Sequence, residues 1–382
     1  MHQPIGVVIL AVVVAATIVA HITSILLVIW RTRRLPPVPS PIGEPAISIL
    51  RPFRGLENNL AETLASGFAL DYRDYEILFC VASADDAAIP LVKGLMAAHP
   101  ARPARLLIGD DPVSINPKLN NLVKGWKDAR HDWIVMADSN VLMPSDYLQR
   151  LFERWSPGTG LIASPAAGAA PQSFWAEVEC AFLNTYQGRW QLAADQVGLG
   201  FAQGKNMLWQ RDLLEEAGGI AALAAEAAED VAATKIVHRA GLKVRLVRMP
   251  FPQPLGIRSL GEVWRRQLRW ARLRRVGLKA YFIPEVLSGG LFPIGATAAM
   301  GAAGVFPLYW AALLGVAWYG AEFALARLAG WPGSARSVLT WVIRDFMLPV
   351  VWVLAWTGST FVWRGNAMAV NGKPARLNSP SP

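Results

Sequence analysis

The sequence predicts an α/β domain on a mainly parallel sheet, set between an N-terminal transmembrane anchor and C-terminal transmembrane or interfacial helices. Three observations carry that reading. Residues 5–30 hold 26 positions without a formal charge, short β-like runs alternate with helical stretches from residue 46, and a second uncharged run fills 286–321. With 53% hydrophobic residues, 17% charged residues and 16 tryptophans in 382 positions, there is ample apolar surface to offset ordering entropy. A disordered chain is excluded.

The run 5–30 would span roughly 39 Å as a helix, at about 1.5 Å per residue, which is enough to cross a bilayer. No Lys or Arg precedes it and no small-x-small cleavage site follows it, which argues against a removable leader. Arg31, Arg33 and Arg34 come next, and the positive-inside rule places them in the cytoplasm. Residues 1–34 are therefore expected to form an anchor with its N-terminus outside, and 35–45 a proline-rich linker. The α/β domain is expected over 46–256. Its β-like runs lie at 46–50, 75–81, 105–108, 133–137 and 160–164. Helical stretches near 56–68, 89–98 and 118–129 separate the first four, the pattern of a parallel sheet covered on both faces.

Residues 257–285 are expected to form a basic interfacial helix, 286–364 membrane segments, and 365–382 a polar tail. Spans near 287–305 and 307–328 precede a stretch at 337–363 that is interrupted by Arg344 and Asp345. Charges inside a span usually face protein and pair. The number of crossings, and whether one segment re-enters, stays open at this point.

Lys and Arg number 37 against 28 acids, for a net charge of +9, and eight basic residues against the single acid Glu262 lie within 258–279. Beside membrane segments, such a patch points to anionic headgroups or phosphates and not to nucleic acid. Cys80 and Cys180 are too few and too far apart for a disulfide framework or a zinc site.

Parallel sheets bind ligands at the carboxyl ends of their strands. Asp85 and Asp86 follow the second β-like run, and Asp138-Ser139-Asn140 follows the fourth. One carboxylate there could hydrogen-bond a base or ribose, and another could hold a divalent cation on a diphosphate. Mg2+ and Mn2+ take oxygen ligands and often use one or two carboxylates plus phosphates. Asp85 or Asp86 could equally cap the next helix. Asp138 ends a buried run, where a charge needs a partner. No glycine-rich phosphate loop follows the first run, which argues against NTP hydrolysis and NAD binding.

Asn116-Pro117-Lys118-Leu119-Asn120-Asn121 opens a helix whose amides and lysine can hold a nucleotide, although Asn116 also suits a simple cap. Glu229-Asp230 starts another helix, running to about residue 239, where the dipole favours acids in any case. In Arg266-Gln267-Leu268-Arg269-Trp270 the two arginines share a helix face, with Trp270 one turn from Arg266. They can grip a diphosphate while the indole packs on a sugar or acyl chain, or the whole helix can anchor among headgroups.

Taken together, Asp85/Asp86, Asp138, Asp230 and Arg266-x-x-Arg269-Trp270 resemble the Asp, Asp, Asp, (Gln/Arg)-x-x-Arg-Trp pattern of inverting membrane glycosyltransferases with a GT-A, Rossmann-like domain. Closer still is the likeness to ceramide glucosyltransferases of bacterial type. It is carried also by Arg51-Pro52-Phe53-Arg54-Gly55, Asn116 to Asn121, Ala228-Glu229-Asp230 and Trp341-Val342-Ile343-Arg344-Asp345.

The resemblance implies a UDP-sugar donor, most simply UDP-glucose, and a membrane lipid acceptor with a primary hydroxyl, ceramide first. Asp85 and Asp86 would contact uridine with Lys118 and Asn121, Asp138 would hold Mg2+ or Mn2+ on the diphosphate, and Asp230 would be the general base. Arg266, Arg269 and Trp270 would neutralise and cover the departing UDP. Asn140 offers no second carboxylate, so the metal would rest on Asp138 with phosphate and water. Where the animal enzyme has His-Pro-Arg, this chain has Gln187-Gly188-Arg189.

The implied setting is a bacterial inner membrane with the catalytic domain cytoplasmic. Rival readings are the same chemistry on diacylglycerol, a hopanoid or another UDP-sugar, a processive polysaccharide synthase, and a catalytically dead membrane scaffold.

Overall fold

The computed structural model describes residues 5–32, 42–358, 360–363 and 366–369. Most of the expected proline-rich linker and of the polar tail lies outside the described residues. Two compact units result, one built on a sheet and one of helices.

The strands in chain order are β1 (Ile47–Pro52), β2 (Tyr75–Val81), β3 (Ala104–Ile108), β4 (Trp133–Ala137), β5 (Thr159–Ala163), β6 (Ala167–Pro171), β7 (Asn206–Gln210), β8 (Lys243–Leu246) and β9 (Pro252–Gly256). Seven form one sheet in the order β3-β2-β1-β4-β7-β5-β8. All neighbours in it run parallel except β7, which is antiparallel to both β4 and β5. The sequence reading placed the first five strands. It did not see β6 to β9; β7, which lies in the chain between the helices Arg189–Gln196 and Arg211–Glu216, departs from the parallel pattern.

Strand residues alternate between two cores. Ile49, Ile77, Phe79 and Val135 pack on one face with Leu60, Leu64 and Val92, whereas Leu50, Leu78, Cys80 and Met136 pack on the other with Leu119, Leu122 and Trp126. A strand buried on both faces reads as a continuous apolar run, which is why β2 and β4 were legible at their exact limits. The helix expected from residue 56 begins at Leu60, because Asn59 adopts a left-handed conformation (φ 58°). Asn116 does cap the helix Pro117–Asp128, its side chain accepting from the Lys118 and Leu119 amides. On that helix Gly125 lies so close to the sheet that an added Cβ would come within 2.2 Å of Leu50 and 2.7 Å of Cys80. Gly125→Ala is expected to destabilise the fold by about 1–3 kcal/mol through overpacking, measurable as a lowered unfolding midpoint of the detergent-solubilised protein.

Among the described residues of the helical unit, three helices are long and apolar enough to cross a membrane: Ile5–Thr32, Tyr309–Ala329 and Ala335–Trp356. Val8, Ile9, Val12, Val19 and Leu26 on the first are more than half exposed, as a lipid-facing surface requires. Around the segment near 287–305, for which the sequence leaves crossing or re-entry open, the chain forms the bent pair Lys279–Leu287 and Leu291–Ala302, at 41°. Asp345 explains the break. Its carboxylate accepts from the Gly290 amide at 2.7 Å and from the Tyr319 hydroxyl at 3.0 Å, and a Cβ at Gly289 or Gly290 would come within about 3 Å of its oxygens. The last apolar stretch is helical only to Trp356, and the backbone of 360–363 is extended and pairs antiparallel with 366–369.

Arg344 faces inward. Its guanidinium forks onto Glu322 with both contacts at 3.0 Å and reaches Asp345 at 2.8 Å, all three residues at most 1% exposed. The first helix joins this buried polar region through His21. Its ring stacks on Trp318 at 3.6 Å, Nδ1 accepts from Arg189 at 2.6 Å, and Nε2 therefore carries the hydrogen that reaches the Trp318 carbonyl at 3.2 Å.

Candidate active site

The sheet unit gathers its charged side chains at the carboxyl end of β4. Asp138 is the first residue after that strand, with a side chain 22% exposed. One of its oxygens meets the Lys118 ammonium at 2.7 Å, and the other meets Lys205 at 2.9 Å. Burial works against its charge, but the two ammonium groups overcome this and hold the Asp138 carboxyl well below the usual carboxylate range. Lys205 also donates to Asn140 Oδ1 at 3.1 Å.

Lys118 is the hub. Besides Asp138 it pairs with Glu229 at 2.7 Å and donates to the Gly204 carbonyl. Burial disfavours its charged form, and Asp138 and Glu229 reverse that, holding it well above the ordinary lysine range. Glu229 accepts also from the Asn116 side chain at 2.7 Å, and the Gly204 amide donates to Asp230 at 3.1 Å. A Cβ at Gly204 would stand 2.7 Å from Glu229 Oε1, so a larger residue there would push that carboxylate aside. Asp230 is the one partly exposed acid of the Glu229-Asp230 pair. Burial, then the neighbouring Glu229 charge, push its carboxyl up to about 6, against the pull of the Gly204 amide and Lys118.

The structure therefore brings together Lys118, Asp138 and Asp230. Asp86 and Asn121 have other partners. Both Asp86 oxygens accept from the Gly55 amide, at 3.0 and 2.8 Å, and one takes the Ala88 amide as well. Asn121, 5% exposed, donates to the Phe53 and Cys80 carbonyls and receives Lys124 at 2.5 Å. These contacts shape the loops that follow β1 and β2. Asp85 is exposed beside them.

In the helical unit, Arg266, Arg269 and Trp270 lie on the helix Leu260–Gly277, started by a capping box between Ser259 and Glu262. Arg266 is paired with Glu179, which Arg258 also approaches at 3.6 Å. Arg269 and Trp270 are partly buried.

Sequence reasoning missed Lys205 and the buried Glu179. The signal for Lys205 was a glycine-lysine step opening an unrecognised strand. That for Glu179 was an acid, two residues after Glu177, in an otherwise apolar helix.

Asp138 with the Asn140 oxygen makes a small, hard donor set, and among the described residues no cluster of three or more His, Cys, Asp or Glu is arranged around a metal. These oxygens are the hard donors that Mg2+ or Mn2+ takes, with phosphate and water as the remaining ligands, and such an ion would displace the Lys118 or Lys205 contacts that hold them here.

The model of glycosyl transferase family 21 matches residues 10–375. The chain belongs to glycosyl transferase family 21. Among curated relatives of this family 21 glycosyltransferase, ceramide glucosyltransferase 3 of Caenorhabditis elegans is 28% identical over 333 residues, covering 84% of this chain and 72% of the relative. The ceramide glucosyltransferase of Komagataella phaffii is 37% identical over 122 residues, 31% of this chain and 24% of that one. Among solved structures, a mannosyltransferase from Pyrobaculum calidifontis in complex with GDP-Man and Mn2+ superposes with a TM-score of 0.52 at 17% identity, covering 88% of this chain and 99% of that one. The likeness shows the GT-A type of fold for the family 21 chain.

Proposed function

We propose that this glycosyltransferase moves glucose from UDP-glucose to the primary hydroxyl of ceramide, inverting the anomeric centre, at the cytoplasmic leaflet of a bacterial inner membrane. One observation carries the reading. Lys118 links Asp138, at the end of a sheet strand, to the Glu229-Asp230 pair, so a phosphate-side cluster and a partly exposed base candidate occur in one place. The relatives named as ceramide glucosyltransferases support the donor and acceptor, and Arg31 in the last turn of the first helix, with Arg33 and Arg34 next in sequence, supports the orientation.

Asp138, with Asn140, would hold Mg2+ or Mn2+, which when bound neutralises the diphosphate of the leaving group. Lys118 and Lys205 add positive charge beside it. Asp230 takes the proton of the acceptor hydroxyl as that oxygen attacks the anomeric carbon and the bond to UDP breaks. A single displacement gives a β-linked glycolipid. Asp85 and Asp86 are assigned to uridine, with Lys118 and Asn121 beside them, and Arg266, Arg269 and Trp270 to the departing UDP. These roles follow from the family pattern.

The direct test supplies the purified protein, in vesicles, with labelled UDP-glucose, UDP-galactose or UDP-glucuronic acid and with ceramide or diacylglycerol. Glucosylceramide is the expected product. A product from diacylglycerol alone, or none, would refute the assignment.

A pH prediction follows from the geometry around Asp230. A general base works only deprotonated, so kcat/KM should fall tenfold per unit below an apparent pKa near 6. Glu229 raises that value through its charge, so Glu229→Gln should move the acid limb to lower pH. An unmoved limb assigns the titration to another group.

A further inference from the structure

The segment Arg51-Pro52-Phe53-Arg54-Gly55 helps to carry the family resemblance, yet the proposed chemistry gives Arg51 no task. Arg51 is the first residue of β1 beyond its ladder with β4, whose last pair is Leu50 with Met136. Strand alternation puts its side chain on the face of Ile49, in a core that also holds Val141, Met143 and Tyr147. The residue is 1% exposed, and among the described residues no carboxylate pairs with it. Its Nη2 instead donates to three carbonyls, those of Thr63 at 2.8 Å, Ser139 at 3.2 Å and Val141 at 3.2 Å. Nε and Nη1 are buried without a partner. Burial pulls the guanidinium down to about 10, which leaves it charged at neutral pH.

A buried cation with no counter-charge and two idle donors is a poor way to stabilise a strand, where an apolar side chain would serve the core better. What the guanidinium does is tie together the two carbonyls on either side of Asn140. Ser139 and Val141 are 3% and 2% exposed, and buried carbonyls need donors. The amides of the same loop are held by other contacts. Asp138 donates to the Lys205 carbonyl at 3.0 Å, Val141 to that of Asp138 at 3.2 Å, and Leu142 to that of Pro252 at 2.9 Å. Met143 donates to the Ser66 hydroxyl at 3.0 Å. Arg51 thus completes, from the carbonyl side, the fixing of the backbone that carries Asp138 and Asn140.

We propose that Arg51 is a positioning residue for the donor side of the site. It sets the backbone of 138–141 before any ligand arrives, so that a divalent cation exchanging for the lysine contacts meets the Asp138 carboxylate and the Asn140 oxygen already in place. A misplacement of about 1 Å in such a site costs about 10²-fold in rate. The inference rests on the role proposed above for Asp138 and adds what holds that residue in position.

The test uses the full chain in detergent, with Arg51→Met, Arg51→Lys and, as a control destabilised away from the loop, Gly125→Ala. Two quantities are measured: Mn2+ affinity in the presence of UDP, from the resonance of free Mn2+, and hydrogen exchange of the amides in 138–143. Arg51→Met should weaken Mn2+ binding at least tenfold and speed exchange in 138–143 at least tenfold, with exchange in 75–81 unchanged. Arg51→Lys, which keeps one donor group, should bind Mn2+ at least threefold more tightly than Arg51→Met. Gly125→Ala should stay within twofold of wild type in Mn2+ affinity. A folded Arg51→Met within threefold of wild type, a lysine variant no better than methionine, or an equal loss in Gly125→Ala overturns the proposal. Should neither Arg51 variant fold, exchange in the wild type decides. The loop 138–143 should be protected without ligand and change less than threefold on adding UDP and Mn2+, and a loop protected only by the ligands overturns the proposal. Wild-type protein that binds no Mn2+, with a loop slow in wild type and fast in Arg51→Met, upholds Arg51 and defeats the metal role of Asp138. Tight Mn2+ binding that Arg51→Met leaves unchanged does the reverse.

Discussion

Asp230→Asn should lower the rate of sugar transfer by about 10²–10⁴-fold, the usual worth of a positioned general base, while UDP binding persists. The substitution is nearly isosteric and leaves an oxygen for the Gly204 amide, which donates to the carboxylate in the native chain. It also leaves Lys118, Asp138 and Lys205 in their mutual contacts. What disappears is the capacity to take a proton. Single-turnover transfer from labelled UDP-glucose, with UDP affinity measured calorimetrically on the same preparation, separates the two effects. Transfer within threefold of wild type would remove Asp230 from the reaction, whereas loss of both transfer and UDP affinity would make it a donor-site residue.

Arg344→Met should destabilise the helical unit by about 3–5 kcal/mol, the range for breaking a buried ion pair from one side. The guanidinium is shared between Glu322 and Asp345 in surroundings almost without solvent, so its removal strands two carboxylates and the carbonyl of Ala181. Arg344→Lys keeps the charge but cannot make the forked contact with both Glu322 oxygens, and should fall between wild type and Met. Thermal unfolding of the three proteins in one detergent gives the ranking. A midpoint for Arg344→Met equal to that of wild type would show that the carboxylates find water or protons at no penalty.

Much of this architecture could be read from the chain itself, and the reasons are local. Strands such as 75–81 and 133–137 are buried on both faces and bounded by polar turns. The helix from Glu229 to Arg239 starts where acids meet an amide-rich terminus and stops at a glycine. The order of Asp85/Asp86, Asp138 and Asp230 placed the acids at strand or helix ends before any contact was known. What escaped depends on contacts between distant segments. That Lys118 bridges Asp138 and Glu229 is a fact about three elements, and no spacing announces it. The lysine at 205 has no periodic pattern to mark it. Whether the apolar run near 287–305 crosses or bends could not be read locally, since the Gly290 amide at its bend donates to Asp345, 55 positions on.

The docking of His21 on Arg189 has a practical consequence. Anyone trimming the first 32 residues to obtain a water-soluble enzyme would strip away the ring that a deeply enclosed guanidinium leans on. Grafting a generic polyleucine segment in their place would restore greasiness and lose the same contact. One face of the leading helix is thus fitted to the helices it packs against, and attempts to prepare a shortened enzyme should preserve it.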